Sequence, residues 1–559
     1  MDAGVRVYDI ETAGGFSADV VCAVSSDLTG RDVRHYSSGA ELADDMRRTG
    51  GRWVAHNGGR FDTLVAIRYL GPPADAILSG SSVLLAHFRR EGRKRPALYL
   101  GDSFPWFLCS LEKLGKELGC AKLGDDLDKE HLEREPRAKV VEYCARDVEV
   151  LRLAVVGALD DLAGFGARPR WTAGAAGVEL LRVLEPDTWA AMEAHTLSLG
   201  TLRRLLEHVG VRGGRTECLW LGMVDGVHGY DVHSSYPARW LQDRLPVGLS
   251  TDPTVSPALY HVSWFRESRE APAPVLGDMG HGCGMLEAWL VPEELECLTA
   301  DRGVKWSRIN EALRPAVWVD AGARHAAELF ALKEAGRHPW AKVWLNATTG
   351  KGGQDPNKPK SVHVEGWTYR DEYRTPQVQP YMQPLMAATV TGRARAALWR
   401  TWQAVRDAGG EVFNGDTDSC HCNLPPDAFA AALAGTGQKM GAGCGEWGHE
   451  WGPCEAAFAG AKLYGVRDPS TGRIVKITAK GVRGGRVDSR TLSWDHMVQV
   501  AEGGAVRVVK KGLKGWRSLV GSPKRAVDEL PDAASVIERE VKRVLHHRAS
   551  DDSGRVFYL

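Results

Sequence analysis

Residues 5–12 of the chain read VRVYDIET, and their alternation of side chains predicts a β-strand. Because alternate residues of a strand leave the same face, Asp9 and Glu11 are predicted to lie together, on the face of Val5 and Val7. Two carboxylates on one face repel each other unless a cation lies between them. The stretch therefore indicates a divalent-metal site at a strand end, with a solvated turn as the alternative for this pattern alone.

Two stretches further along the chain supply more carboxylates. Residues 53–62 predict a short apolar strand and a glycine turn that ends on Asp62. Residues 139–159 predict a helix on which Tyr143 and Asp147, four apart, are neighbours. Such a set fits a two-metal phosphodiester hydrolase, in which one metal generates hydroxide, the other stabilises the leaving oxygen, and Tyr143 orients the water.

A second acidic group is predicted in the middle of the chain. Residues 229–237 place Asp231 at a strand end, and residues 411–422 predict a β-hairpin with Asp416 and Asp418 at its tip. A spacing of two puts both carboxylates on one side if the backbone is extended. A surface turn is the alternative for the hairpin tip taken alone.

Between these acidic stretches lies a predicted helix pair. The first helix covers 323–335, and the second begins at Pro339 and stops at Gly350. On the second helix Lys342 and Asn346 share a face. Lysine opposite metal-binding carboxylates suits the binding of a triphosphate, whereas a lone lysine is more commonly solvated.

The N-terminal group resembles the three exonuclease motifs of proofreading DNA polymerases, DxE, Nx(2–3)(F/Y)D and YxxxD. The matches are Asp9–Glu11, Asn57–Asp62 and Tyr143–Asp147. The resemblance implies catalysis and metal binding by Asp9, Glu11, Asp62 and Asp147, with Tyr143 as a further catalytic residue. It also implies that Lys122 assists at the scissile phosphate and that the 3′ end of DNA is held by Thr12, Asn57, Phe61 and Ser103.

The later stretches resemble family B DNA polymerases. In chain order the matches are YxGG at 212–214, motif A at 231–237, motif B at 342–350, motif C at 414–419 and KxY at 462–464. The resemblance implies metal binding by Asp231, Val232, Asp416 and Asp418, with the three aspartates catalytic. It implies nucleotide binding by Val232, Tyr236, Lys342 and Asn346, and DNA binding by Arg212, Gly213, Gly214, Lys462 and Tyr464.

The same resemblance implies a multidomain fold that mixes α/β and α+β parts. An RNase H-like 3′–5′ exonuclease domain precedes a right-handed polymerase with palm, fingers, thumb and two insertions. The expected order is exonuclease domain 1–165, linker and start of palm 166–240, first insertion 241–320, fingers 321–350, second insertion 351–384, palm with motif C and KxY 385–470, and thumb with C-terminal region 471–559.

The positions of the two insertions indicate one branch of the family B DNA polymerases. Insertions there, in so short an enzyme, are similar to the terminal-protein regions of protein-primed polymerases of small phages, tectiviruses, adenoviruses and linear plasmids. In that branch the first insertion contacts the priming protein, and the second encircles DNA and gives processivity and strand displacement. On composition alone 351–384 is an exposed loop. We therefore expect protein-primed, strand-displacing replication of a small linear genome.

Three alternatives remain. A DNA-primed or self-priming polymerase of the same family shares the catalytic motifs. A protein that is a nuclease alone would leave the polymerase motifs as coincidence. A nucleic-acid-binding protein with decayed sites would be expected to have lost carboxylates, and none is lost.

Four positions depart from the family pattern: Val211 in YxGG, Ser235 in motif A, and Ala347 and Thr349 in motif B. The motif B tyrosine packs near the nascent base pair, so its replacement by Thr349 puts fidelity and nucleotide affinity in doubt. Tyr236, which by resemblance excludes a ribose hydroxyl, is retained. We therefore expect deoxynucleoside triphosphates as substrates.

Composition sets the remaining expectations. The chain has 559 residues, 43% of them hydrophobic, with 71 Lys and Arg against 71 Asp and Glu, which excludes a disordered chain and a small binding module. Residues 471–530 hold 13 Lys and Arg against 5 Asp and Glu, a basic patch suited to a phosphate backbone. The 11 cysteines indicate reduced thiols rather than disulfides, and zinc binding around Cys420, Cys422, Cys444 or Cys454 is the weaker reading.

The expected cofactor is Mg²⁺, two ions per active site, with Mn²⁺ as a substitute. The expected partners are primer-template DNA, deoxynucleoside triphosphates and a terminal priming protein. The sequence shows no signal peptide or membrane segment, so we expect the protein in the cytoplasm, or in the host cell cytoplasm if a phage encodes it. We also expect a monomer.

Overall fold

The computed structural model describes residues 4–13, 19–79, 82–89, 96–123, 127–128, 131–336, 338–356, 361–365, 368–371, 377–479, 492–513, 534–543 and 548–559. No helix within these ranges is long and apolar enough to cross a membrane.

The described residues between 4 and 164 form a layered α/β unit. Its strands are β1 (Val5–Thr12), β2 (Val20–Asp27), β3 (Val33–Tyr36), β4 (Gly51–Ala55), β5 (Asp75–Ser79), β6 (Ser82–Arg89) and β7 (Pro96–Asp102). Its helices are α1 (Gly39–Thr49), α2 (Asp62–Leu70), α3 (Phe104–Phe107), α4 (Leu111–Glu117) and α5 (Arg137–Gly164). The strands lie in the order β5-β6-β7-β4-β1-β2-β3, and β4 is parallel to β1 and to β7.

The first strand has the predicted bounds and the predicted two faces. Val5 and Val7 are buried against α5, whereas Tyr8 and Ile10 are buried in a separate core on the opposite face. Asp9 and Glu11 continue the face of Val5 and Val7, so they point toward α5. The predicted helix 139–159 is longer than expected, because the apolar face of α5 continues through Leu162 into the core.

Three helices, α6 (Ala173–Leu184), α7 (Pro186–Ala194) and α8 (Leu199–His208), lead from this unit into the second half. There the elements are β8 (Arg215–Cys218), β9 (Gly222–Val232), α9 (Ser235–Gln242), β10 (Leu245–Val247), β11 (Leu259–Arg266), β12 (Gly284–Leu290), α10 (Pro292–Ala300), β13 (Val304–Leu313), β14 (Val317–Val319), α11 (Ala323–Glu334) and α12 (Ala341–Gly352). The next elements are β15 (Ser361–Glu365), β16 (Thr368–Asp371), α13 (Pro384–Asp407), β17 (Val412–Thr417), β18 (Ser419–Cys422), α14 (Pro426–Ala432), β19 (Trp447–Gly460), β20 (Leu463–Arg467) and β21 (Ile474–Ala479).

A seven-stranded sheet in the order β21-β20-β19-β9-β18-β17-β8 carries the second acidic group. Trp402 of α13 packs against it in a core that includes Tyr230 and Trp447. Residues 245–319, within the predicted first insertion, form a β10–β14 ladder and a three-stranded sheet in the order β12-β11-β13.

The helix α11 matches its predicted bounds to within one residue, whereas α12 is displaced. The second helix was predicted from Pro339 to Gly350 but begins at Ala341 and ends at Gly352. Its start is shifted because the side chains of His338 and Trp340 bind Asp161 of α5, at 2.7 and 2.6 Å. Its end is shifted because the helix packs on α13 as far as Gly352, and tertiary packing overrides the weak helix propensity of Gly350.

Part of the predicted second insertion joins the first sheet. Strands β15 and β16 form a hairpin, and β15 pairs with β5, so the first sheet has nine strands. Residues 357–360, 366–367 and 372–376 of this insertion lie outside the described residues.

The last part of the chain contains α15 (Trp494–Ala501), β22 (Ala505–Leu513), β23 (Ala534–Lys542), β24 (Arg548–Ser550) and β25 (Val556–Tyr558). Strands β22 and β23 form an antiparallel ribbon. Of the 13 Lys and Arg residues in the basic patch predicted at 471–530, 8 lie outside the described residues, because 480–491 and 514–533 are not among them.

Candidate active sites

Three carboxylates of the first unit converge between β1 and α5. One oxygen each of Asp9, Glu11 and Asp147 lies within 4.8 Å of the others. The Oδ2 atom of Asp9 is buried and has no hydrogen-bond partner among the described residues. The strand and the helix thus bring together side chains separated by more than 130 positions.

Repulsion in this cluster changes its proton affinity. Burial, followed by the charge of Asp147, raises the pKa of Asp9 to about 7. Burial and Asp9 raise the pKa of Glu11 to about 10. A hard divalent cation would lower both values, because it favours the charged carboxylates that are its preferred ligands. The donor set therefore fits Mg²⁺ or Mn²⁺.

Asp62 lies beside this cluster at the start of α2. Its Oδ1 accepts the backbone N–H of Ile10 at 2.9 Å, which ties α2 to β1. Burial and the charge of Asp9 raise its pKa well above the usual range. Asp62 is therefore close enough to Asp9 to act on it, although it is outside the group of three oxygens.

Lys122 and Tyr143 complete the wall of this site. The Lys122 ammonium pairs with Asp147 and lies 5.2 Å from the ring centroid of Tyr143. Tyr143 is buried on α5, one turn before Asp147. The predicted neighbourhood of these three side chains is thus present.

The four residues predicted to hold a DNA end have different surroundings. Thr12 is buried at the end of β1, Asn57 is exposed with φ +57°, and Phe61 is half-buried. Ser103 is buried, and its hydroxyl hydrogen bonds Nδ1 of His56 at 3.0 Å. The Ser103 hydroxyl is thus already hydrogen-bonded to another side chain of the same protein.

Sequence reasoning missed His56 and Asp102, which support this region. Nε2 of His56 donates to the Cys109 carbonyl at 2.9 Å, and burial lowers the His56 pKa to about 4, so the ring is neutral. Asp102 is buried and accepts the backbone N–H of Phe104 at 2.9 Å and those of Asn57 and Gly59. A carboxylate at the end of β7, beside the glycine turn, was the available signal.

The second acidic site lies on the seven-stranded sheet. Asp231 at the end of β9 pairs in register with Ser419 of β18, and the Val232 N–H donates to the Asp418 carbonyl at 2.9 Å. Burial and the charge of Asp418 raise the pKa of Asp231 to about 8. Burial and Asp416 raise the pKa of Asp418 to about 6. These paired carboxylates also fit hard divalent cations.

The predicted β17–β18 hairpin carries Asp416 and Asp418 at its tip, but the backbone there is not extended, so the condition for both carboxylates to lie on one side is not met. Thr417 has φ +70°, and the Asp418 N–H donates to the Asp416 carbonyl at 2.8 Å. Because of this tight turn, the alternation of side chains along a strand does not determine where the two carboxylates point. Asp416 instead pairs with Nζ of Lys462 at 2.9 Å, whereas Asp418 approaches Asp231.

The helix α12 presents Lys342 to these carboxylates. Lys342 is exposed, and its charge lowers the proton affinity of both Asp231 and Asp418. Asn346 lies one turn further along and is half-buried. Thr349, which departs from the family pattern, is buried and accepts the indole N–H of Trp240 at 3.0 Å.

The YxGG segment contacts the hairpin at one glycine. A Cβ atom at Gly214 would overlap the side chains of Thr417 and Tyr236, so glycine is required there. The guanidinium of Arg212 donates to the carbonyls of Leu276 and Trp289, at 3.0 and 2.7 Å. Its side chain is thus held by the protein, and of this segment Gly213 is exposed.

The KxY segment lies on β20 and the turn before it. Tyr464 is buried, with its ring edge toward His421 at a centroid distance of 5.0 Å. Two charged residues here were missed: Glu450 of β19 and Lys476 of β21, whose charges act in opposite directions on the pKa of Asp231. No sequence motif identifies Glu450 and Lys476, because they come close to Asp231 only through the pairing register of strands that are distant in sequence.

The zinc reading of the cysteines has no support in the described residues. There, no compact group of three or more His, Cys, Asp and Glu side chains contains a cysteine, and the one such group is Asp9, Glu11 and Asp147. The 11 cysteines are free thiols.

Known proteins with the same architecture were found by sequence and by structure, although no family model matches the chain. A DNA-directed DNA polymerase of Enterobacteria phage PRD1 is 24% identical over 477 residues, which are 76% of this chain and 75% of that protein. Phi29 DNA polymerase complexed with primer-template DNA matches with a TM-score of 0.71 and 17% identity, over 96% of this chain and 100% of that one. Its ternary complex with primer-template DNA and incoming nucleotides matches with a TM-score of 0.71 and 16% identity, over 97% and 100%. The predicted fold, an exonuclease unit followed by palm, fingers and thumb, is thereby confirmed.

Proposed function

We infer that the chain is a DNA-directed DNA polymerase of the protein-primed branch of family B, with a 3′–5′ exonuclease. The observation that carries this inference is the meeting of Asp231, Asp418 and Lys342, which come from a strand, a hairpin turn of the same sheet and a separate helix. Such a site joins a hydroxyl to a triphosphate by positioning and charge neutralisation. The second cluster, on a different sheet, supplies a hydrolytic site.

At the polymerase site, Asp231, the backbone at Val232, and Asp418 would hold the ions, with Asp416 assisting. Bound divalent ions would activate the primer hydroxyl and neutralise the triphosphate. Lys342 and Asn346 face the triphosphate, and Tyr236 lies against its sugar. Lys462 and Tyr464 contact the primer strand, as do the YxGG glycines.

At the exonuclease site, Asp9, Glu11, Asp62 and Asp147 would hold the ions. Tyr143 orients the attacking water, and Lys122 neutralises charge at the scissile phosphate. Thr12, Asn57 and Phe61 receive the DNA end, and Ser103 would join them on release of its bond to His56.

We propose Mg²⁺ as the ion at both sites, two ions each, with Mn²⁺ as a substitute. The raised pKa values of Asp9 and Asp231 support this, because both reflect burial of the carboxyl group and the charge of a neighbouring carboxylate, and a bound cation would offset both. The matching phi29 complexes and the PRD1 relative support primer-template DNA and deoxynucleoside triphosphates as substrates.

We further propose that a terminal protein supplies the first hydroxyl and that the enzyme works as a monomer in the host cytoplasm. The sheet β12-β11-β13 supports a protein partner, because β13 exposes most of its side chains, including Trp306 and Ile309. The β15–β16 hairpin would contribute to strand displacement from its place beside β5.

The test is incorporation on a primed template with a long duplex downstream. We expect template-directed extension through the duplex with Mg²⁺, and removal of a mismatched 3′ nucleotide before extension. Failure to extend any primer, with degradation retained, would instead support the nuclease-only alternative. Covalent transfer of a first deoxynucleotide to a small protein encoded beside this gene would support protein priming, whereas extension from DNA primers alone would contradict it.

A further inference from the structure

Residues 548–559 return to the seven-stranded sheet and bind its β8 side. The Val556 N–H donates to the Leu219 carbonyl at 3.0 Å, and the Leu221 N–H donates to the Gly554 carbonyl at 2.6 Å. The Tyr558 N–H donates to the Arg269 carbonyl at 2.9 Å. Outside the segment itself, its hydrogen bonds among the described residues go to residues 217–283.

Two side chains of this segment enclose a buried carboxylate on β8. Glu217 is 0% exposed, and its Oε2 accepts from Arg548 at 3.0 Å and from the Tyr558 hydroxyl at 2.8 Å. Its other oxygen pairs with Arg215. Tyr558 is also 0% exposed, and its hydroxyl accepts the Ala273 N–H at 3.0 Å. A buried charge of this kind is tolerated only while its partners stay in place.

The position of Glu217 connects this cluster to the catalytic hairpin. Glu217 pairs in register with Gly415 of β17, and the next pair along the ladder is Thr216 with Asp416. The strand β17 is also fixed from the helix side, because a Cβ at Gly415 would overlap Trp402.

Arg215 joins these two supports. Its guanidinium lies 5.1 Å from the Trp402 ring centroid and donates to the carbonyls of Pro274 and Ala273, at 2.9 and 2.5 Å. Loss of a Glu217 partner would therefore loosen Arg215, the ladder and the Asp416 end of β17 together.

We propose that residues 548–559 complete the polymerase site, with Arg548 and Tyr558 as positioning residues that hold Asp416 in place through Glu217. The proposal rests on the polymerase function proposed above. It predicts that only primer extension depends on this segment, because the proposed exonuclease carboxylates lie on β1, α2 and α5 of the first unit.

The test compares Tyr558→Phe and Arg548→Met with the wild-type chain. In both variants we expect kcat of primer extension to fall by about tenfold, with KM for deoxynucleotides, Kd for primer-template and exonuclease activity on single-stranded DNA unchanged. Arg548→Lys should recover most of the loss because it restores a cation beside Glu217. The matched controls are Tyr260→Phe, at a half-buried tyrosine of β11, and Arg302→Met, at an exposed arginine after α10.

Hydrogen–deuterium exchange gives a second readout that does not depend on activity. Amides of residues 412–418 should exchange faster in Tyr558→Phe and Arg548→Met, while those of β1 and α5 should not change. The proposal is overturned if extension and exchange match the wild type, or if exonuclease activity falls in parallel with extension. If the wild-type chain extends no primer, the proposed function fails, and exchange over 412–418 alone decides whether the segment holds Asp416.

Discussion

Asp416 and Asp418 are two residues apart but have different partners. Asp416 is paired with Lys462 at 2.9 Å, whereas Asp418 faces Asp231 and has a raised pKa. The turn at Thr417 separates their directions. The hairpin thus presents Asp418 toward Asp231 and Asp416 toward Lys462, the residue that we propose contacts the primer strand.

Replacement of Lys462 by Met should therefore weaken extension by at least about tenfold. The change leaves Asp416 without its paired cation and removes one proposed contact with a DNA phosphate. The slope of log Kd for primer-template against log salt concentration should therefore decrease by about 1. Primer extension and filter binding at several salt concentrations measure both effects.

The control for this change is Lys439→Met, at a lysine that pairs with Glu446 on an exposed surface. It should leave extension and the salt slope unchanged. Equal losses in both lysine variants would contradict a specific role for Lys462.

At the scale of elements, α5 connects the two acidic sites. It carries Tyr143 and Asp147 near its start, and near its end Asp161 accepts hydrogen bonds from His338 and Trp340. These two residues immediately precede α12, which carries Lys342. The base of the fingers is therefore fixed to a helix of the exonuclease unit.

Asp161→Ala should destabilise the protein by about 1–3 kcal/mol, because it leaves the buried indole N–H of Trp340 without an acceptor. It should also raise KM for deoxynucleotides, since α12 loses its anchor. Thermal unfolding and steady-state extension measure the two effects. Asp160→Ala, at the exposed neighbouring position, is the matched control and should change neither.

The helix α11 contains a buried, neutral histidine. His325 is 1% exposed, its ring nitrogen Nε2 lies 3.2 Å from the Gly177 carbonyl, and burial lowers its pKa from 6.5 to about 4. In the unfolded chain this group takes up a proton below about pH 6.5. Its contribution to stability is therefore constant above pH 6.5 and is lost as the pH falls toward 4.

Replacement of His325 by Gln should flatten the dependence of stability on pH in that window. The difference in the free energy of unfolding between the variant and the wild type should change by up to about 1.4 kcal/mol per pH unit between pH 6.5 and 4. Melting temperatures at pH 7 and pH 5 measure it, and His208→Gln, at an exposed histidine, should behave as wild type. A pH profile unchanged by His325→Gln would contradict the assignment of a neutral ring.

At the scale of the molecule, local patterns predicted more than long-range pairing did. The strand at residues 5–12 and the helix with Tyr143 and Asp147 follow from periodicity, which depends on neighbours in sequence. The hairpin with Asp416 and Asp418 at its tip was predicted, but the directions of the two carboxylates were not, because Thr417 takes a positive φ that a threonine rarely adopts.

Other features depend on contacts between distant parts of the chain. Glu450 acts on Asp231 through strand register, and Glu217 is enclosed by Arg548 and Tyr558, more than 300 residues away. No local pattern contains that information. The family motifs located the two sites, and the fold supplies the residues that hold them.

The central claim is that one chain carries two independent metal-dependent sites, and reciprocal inactivation tests it most directly. Asp231→Asn and Asp9→Asn are each assayed for extension of a paired primer and for 3′–5′ degradation of single-stranded DNA, with Mg²⁺. We predict that Asp231→Asn abolishes extension and retains degradation, and that Asp9→Asn abolishes degradation and retains extension. Loss of both activities in both variants would contradict the claim.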